Sequence, residues 1–201
     1  MVQRGAGDNA ILVDLVSYDT DFEAFKFFGT IADQRDDIFP NSTHVISRYD
    51  EAPYVVHFED EQTWKDNNLE YRKLCLIYKS EPAHTIHYFY YTAWPNSQGI
   101  DPDKLEFMLE QVNEKFTNQK IIGNCLWGKG RTGTWFEAWA IYQATVVAKS
   151  TEWFFSSPDP IKDYTVKIHH QRNNMIDSAN QYVYLYQKWA RRMWDRVSEK
   201  A

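Results

Sequence analysis

Residues Lys120 to Thr134 read Lys-Ile-Ile-Gly-Asn-Cys-Leu-Trp-Gly-Lys-Gly-Arg-Thr-Gly-Thr. An apolar strand over Lys120–Ile122 runs into Cys125. A glycine-rich loop leads to Arg131, and a helix-like run follows from Thr134 to Val147. Strand, tight loop and helix in succession place the chain among α/β proteins. Backbone N–H groups in such a loop turn inward, and the helix N-terminus adds partial positive charge, so the loop is suited to an anion. Arg131 can grip two anion oxygens with its planar fork. The same field favours a thiolate on Cys125, which makes that sulfur a candidate nucleophile. The expected chemistry is phosphoryl transfer to cysteine, then hydrolysis by water.

Three other readings compete. A lone cysteine is commonly a buried apolar residue. Gly123 to Lys129 also fits the nucleotide pattern G-x-x-x-x-G-K, but Gly130 stands where the magnesium-binding Ser or Thr belongs. The third is a phosphate-binding loop that no longer catalyses.

With 201 residues the chain is long enough for one domain with a core. A net charge of −6 disfavours a general nucleic-acid binder. Two cysteines, Cys75 and Cys125, exclude a disulfide scaffold, and without a C-x-x-C pair neither a structural zinc nor any other metal or cofactor is expected. No signal pattern and no run of membrane-spanning length is read, so a cytoplasmic setting is expected.

In chain order, residues 1–9 read as a loose tail and Ile11–Val16 as a strand or the start of a helix over 19–28. Asp33–Pro40 reads as an exposed loop. Val45–Ile46 and Tyr54–Phe58 read as short strands, and Glu59–Glu70 as a charged surface connection. Tyr71–Lys79 and His84–Thr92 form a plausible antiparallel hairpin. Trp94–Gly99 is a loop, and Asp101 caps a helix with Pro102 in its first position. Leu105, Met108, Leu109, Val112 and Phe116 share one helical face. Asp159-Pro160 starts a helix to about Arg172, and Ser178 caps a last one through about Val197. No linker divides the chain, so a single domain over 1–201 is expected. His84 with His87, and His169 with His170, read as surface residues, and Cys75 as core.

Several stretches together resemble the tyrosine-specific protein phosphatases. Cys125 to Gly133 fits Cys-x5-Arg-Ser/Thr-Gly. Tyr91 to Asn96 (Tyr-Thr-Ala-Trp-Pro-Asn) looks like the family's mobile Tyr-Thr-x-Trp-Pro-Asp loop. Asp37 to Val45 and Gln171 to Tyr182 look like two further family segments. The similarity covers roughly residues 30–195, with the family's middle portion cut down. It implies a protein-tyrosine-phosphatase-like α/β fold, with a central mixed sheet flanked by helices and the phosphate loop between a strand and a helix. It also implies roles. Cys125 matches the nucleophile, Arg131 the phosphate-gripping arginine and Thr132 the hydroxyl that helps the thiolate leave. Gln181 matches a glutamine near the attacking water, and Trp94 and Pro95 match the closing loop's hinge. Gly128, Lys129 and Gly130 would line the phosphate, and Asp37 would contact the substrate backbone, against a plainer reading as a solvated loop acid.

The departures matter as much. Asn96 stands where the family has its general acid, and an amide cannot protonate a tyrosine leaving group. Asn124 replaces a histidine before the cysteine. Leu126 and Trp127 replace small residues, and their bulk is expected to strain the loop. Asp177 replaces the first glutamine of the water-positioning pair and brings negative charge near a dianion. Arg35 replaces the tyrosine that walls the phosphotyrosine slot, and His44 replaces an arginine. The resemblance therefore implies a partner that is a phosphotyrosine-containing protein or peptide, with dephosphorylation weak. The alternative is an inactive pseudophosphatase serving as a phosphotyrosine-binding or interaction module.

Overall fold

The computed structural model describes residues 10–15, 44–45, 54–78 and 81–199. The helix expected over 19–28, the loop at 33–40, Arg35 and Asp37 lie outside the described residues. The chain falls into two compact units: residues 1–92 with 112–122, and residues 93–111 with 123–201.

The first unit carries the sheet, whose strands run in the order β2-β3-β4-β5-β1-β6. They are β1 (Ala10–Asp14), β2 (His44–Val45), β3 (Tyr54–Trp64), β4 (Leu69–Tyr78), β5 (Glu81–Tyr91) and β6 (Lys120–Asn124). The sheet is mixed, because β1 runs parallel to β5 while β2 to β5 pair antiparallel. The apolar run at 11–16 resolves as strand: Ile11 and Val13 alternate with half-exposed neighbours and are themselves fully buried. The expected hairpin is present as β4 and β5.

The charged stretch expected as a surface connection is mostly strand instead. β3 continues to Trp64, and only Lys65–Asn67 forms a 3-10 turn. Asp60, Glu61 and Gln62 are exposed, and Arg72 donates to Glu61 at 2.9 Å across the ladder. His87 is also not a surface residue. It is half-buried, shares a 3.0 Å hydrogen bond with the Tyr71 hydroxyl, and burial holds its imidazole below the usual range, with Lys115 and Lys73 adding to the effect. Cys75 is buried, as expected.

The remaining elements are helical: α1 (Pro102–Lys115), α2 (Gly130–Tyr142), α3 (Pro160–Gln171), α4 (Ala179–Tyr184) and α5 (Arg191–Ser198). α1 starts as expected, with Asp101 Oδ1 accepting from the Asp103 N–H at 2.9 Å, and Leu105, Met108, Leu109 and Val112 are fully buried. α3 is capped by Asp159, whose Oδ1 takes the Lys162 N–H at 3.0 Å, and α4 by Ser178. A π-helical stretch, Leu185–Ala190, joins α4 to α5. Leu185, Trp189, Met193 and Val197 recur every fourth residue and are all buried. An α-helix drifts off a strict four-residue repeat, and the wider π turn corrects that drift.

α2 contains a charge where its pattern wants an apolar residue. Glu137 is fully buried, and its Oε2 accepts from Thr165 Oγ1 at 2.8 Å. Burial pushes its carboxyl up to about 8; the Thr165 bond opposes the shift and the charge on Asp159 adds to it. The unfolded chain ionises this group near 4.5. The folded state therefore holds the proton more tightly, and the stability it contributes, full below about 4.5, is lost as pH rises through about 8. The free energy of unfolding should fall between about pH 5 and about pH 8 by roughly 2–4 kcal/mol more in wild type than in Glu137→Gln. Equal pH dependence of the two proteins in urea titrations would show that Glu137 stays ionised in the fold.

Candidate functional site

The second unit holds every described residue singled out around Cys125. β6 ends at Asn124, and Cys125 follows at 5% exposure. A turn comes next, closed by the Gly128 N–H donating to the Cys125 carbonyl at 3.1 Å. Gly128 has φ +60, a conformation glycine adopts at no steric cost. Its N–H is spent on that turn and does not face a ligand as a pure nest would require. α2 begins at Gly130, four residues earlier than its apolar pattern indicates, so Arg131 and Thr132 lie in its first turn. Arg131 is 1% exposed, and its Nη1 donates to the Trp94 carbonyl at 3.2 Å. Thr132 Oγ1 is buried with no hydrogen-bond partner among the described residues.

A second chain segment closes on this helix start. The Lys129 carbonyl accepts from Gly133 N–H at 2.7 Å and from Ile176 N–H at 3.3 Å. Ile176 has φ +60, which costs a β-branched residue on the order of 1–3 kcal/mol. Gly133 makes the approach possible, since a Cβ there would lie 2.6 Å from Ile176 N. A Cβ on Gly130 would lie 2.2 Å from Asp177 Oδ1 and 2.7 Å from Gln181 Oε1. The Asp177 and Gln181 side chains thus meet over the same backbone atom. Gln181 is fully buried, and neither of its amide atoms has a partner among the described residues.

The loop from Trp94 to Gly99 is tied to the same unit at several points. Trp94 is fully buried, and its Nε1 donates to the Gln98 carbonyl at 2.8 Å. Ser178 Oγ donates to the Ser97 carbonyl at 2.7 Å, and a Cβ on Gly99 would strike the Tyr184 ring at 2.2 Å. Asn96 is exposed, and its side-chain oxygen accepts from the Ser97 N–H at 3.1 Å.

The protein-tyrosine phosphatase family model matches residues 30–191. The chain belongs to the protein-tyrosine phosphatase family. A solved protein tyrosine phosphatase of Trypanosoma cruzi superposes with a TM-score of 0.69 at 19% identity, covering 94% of this chain and 60% of that one. One from Trypanosoma brucei gives 0.68 at 14% identity, with 94% and 61% covered. The catalytic domain of human protein tyrosine phosphatase non-receptor type 18 gives 0.62 at 16%, with 94% and 61% covered. The chain thus has the phosphatase fold expected from its motifs and spans about three-fifths of the length of these structures. A search of curated protein sequences gives no significant match. Among the described residues, no helix is long and apolar enough to cross a membrane, and no group of three or more His, Cys, Asp or Glu is placed to hold a metal ion.

Within the phosphatase fold, the expected residues fall into two sets. Cys125, Gly128, Lys129, Gly130, Arg131 and Thr132 occupy the loop and first turn of α2, and Asp177, Gln181 and Trp94 pack against that stretch. The strain expected from Leu126 and Trp127 has an outlet: the Trp127 side chain is 69% exposed and lies outside the packed loop.

Arg172 acquires a position that its sequence context does not reveal. Its Nη2 donates to the Trp127 carbonyl at 3.0 Å, and its guanidinium lies 3.0 Å from where a Gly128 Cβ would be, so it braces the loop from outside. An arginine shortly before a Met-Ile pair carries no signal of such a contact; only the tertiary approach of residues 172–177 creates it. Gly133→Ala should force the Ile176 backbone off the helix and destabilise the protein by about 1–3 kcal/mol. Chemical denaturation checks this, and an unchanged midpoint would mean the segment moves away without cost.

Proposed function

We propose that the chain binds phosphotyrosine-containing proteins or peptides at the Cys125–Arg131 loop and retains weak cysteine-dependent dephosphorylation. The observation that carries this reading is the buried pair itself. A thiol at 5% exposure ends β6, and a guanidinium at 1% heads α2. The N–H groups of Leu126, Trp127, Lys129 and Gly130 lie ahead of the Gly133 N–H that bonds back to the Lys129 carbonyl at the start of α2, where a helix leaves its first donors free for a ligand. These groups, the α2 N-terminus and Arg131 are the donors that hold a phosphate in place. The solved phosphatase non-receptor type 18, in complex with HER2 phosphopeptides, supports the ligand class at the level of the family.

In this reading the Cys125 sulfur attacks phosphorus, the P–O bond to the tyrosine breaks, and water then cleaves the S–P bond. Thr132 hydrogen-bonds the departing sulfur, and Gln181 orients the water. Gly128 shapes the turn, Lys129 adds positive charge, Trp94 anchors the 94–99 loop, and Asp37 contacts the substrate backbone. The phenolate must leave without a proton donor at Asn96. General acid catalysis is typically worth about 10²–10⁴-fold, so turnover is low by that order.

Asn96 also favours the second reading, a pseudophosphatase that binds phosphotyrosine without turning it over. One repair experiment separates the two. Asn96→Asp should raise turnover of a phosphotyrosine peptide by about 10²-fold or more, and turnover of an activated aryl phosphate far less, because that leaving group departs unprotonated. Paired kinetics with Cys125→Ser as the blank measure it. No gain with either substrate places the block elsewhere and favours the pseudophosphatase. In either reading Arg131→Ala should abolish inorganic phosphate binding in calorimetric titration, and equal affinity in wild type and variant would remove the loop from consideration.

A further inference from the structure

Asp177 and Gln181 give the loop an acceptor-rich wall. Both side chains point an oxygen at Gly130, close enough for one donor to bridge them. Gln181 is fully buried with neither amide atom partnered among the described residues, a costly arrangement unless something occupies the site. A carboxylate accepts hydrogen bonds and donates none. Sulfate and fully ionised phosphate would face it with acceptors alone, whereas a phosphate that keeps one proton can turn its O–H towards it.

We propose that the Cys125–Arg131 loop selects a protonated phosphate, one able to donate a hydrogen bond to Asp177, over sulfate and over fully ionised phosphate. The inference rests on the anion-loop reading above and adds the ionisation state that the loop takes. Arg131 holds the unprotonated oxygens, and Asp177, with Gln181 Oε1, receives the proton-bearing one through a charge-assisted bond. A phosphate monoester loses its last proton at about pH 6, so affinity rises as pH falls towards that value.

Other titratable or charged groups surround Asp177. Lys162 and His169 of α3 and Tyr182 of α4 line the same cavity, of about 340 Å³. Cys125, Lys129 and Arg131 belong to the loop and do not line that cavity, and Arg172 braces the loop from outside. A positive charge near the site strengthens any anion, sulfate included. The ratio of phosphate to sulfate affinity therefore isolates the Asp177 contribution.

The test is calorimetric titration of the full chain with methyl phosphate, a monoester that loses its last proton at about pH 6, and with sulfate, at about pH 5 and about pH 8 and constant ionic strength. At the lower pH, phosphate should bind about tenfold or more tighter than sulfate, the usual scale of a hydrogen bond to a charged group. The ratio should shrink at the higher pH, and Asp177→Asn should bring the two anions close to equal. Equal affinities in wild type at the lower pH, or a ratio unchanged in Asp177→Asn, overturn the proposal while Arg131→Ala still weakening both anions leaves the loop reading intact. No binding of either anion, or no effect of Arg131→Ala, overturns both. The pH dependence of the wild-type ratio decides the matter even if the Asp177 variant fails to fold.

Discussion

The second unit depends on one close approach, the seating of residues 175–177 on the first turn of α2. A single carbonyl, that of Lys129, receives both the Gly133 and the Ile176 N–H groups. The approach holds Ile176 in a left-handed conformation that a β-branched residue avoids elsewhere. It also carries Asp177 and Gln181 onto the helix start. Strain of this kind persists only where surrounding contacts over-determine it, and here two glycines on the facing helix leave the room. The loop, the helix start and the approaching segment therefore act as one piece.

Much of this was legible in the sequence, and the failures have physical causes. The strand, loop and helix around Cys125 were readable because apolar periodicity switches at a cluster of glycines. The helix start was read four residues late, since Gly130, Thr132 and Gly133 are poor helix formers, and packing rather than propensity holds them in the first turn. The strand through Trp64 was read as a connection because solvent-facing strand charges look like loop residues when no partner strand is visible. Glu137 carries no sign of its burial in the sequence, since a lone acid in a helix usually faces water. Its burial is a tertiary fact.

The substitutions at the site do not all pull the same way. Asn96 lies in a loop held in place through Trp94, Ser97 and Gly99. Trp127 adds bulk outside the packed loop, where it costs little. Asp177 sets a side-chain oxygen against Gly130 at the start of the helix.

Gly130 has a consequence for how variation in this chain reads. Its significance lies in an absent atom. One added methyl group would overlap Asp177 and Gln181 together, yet every sulfur, guanidinium, hydroxyl and amide discussed above would still be encoded. Such a variant would pass any inventory of reactive side chains while pushing the ends of the Asp177 and Gln181 side chains off the start of the helix.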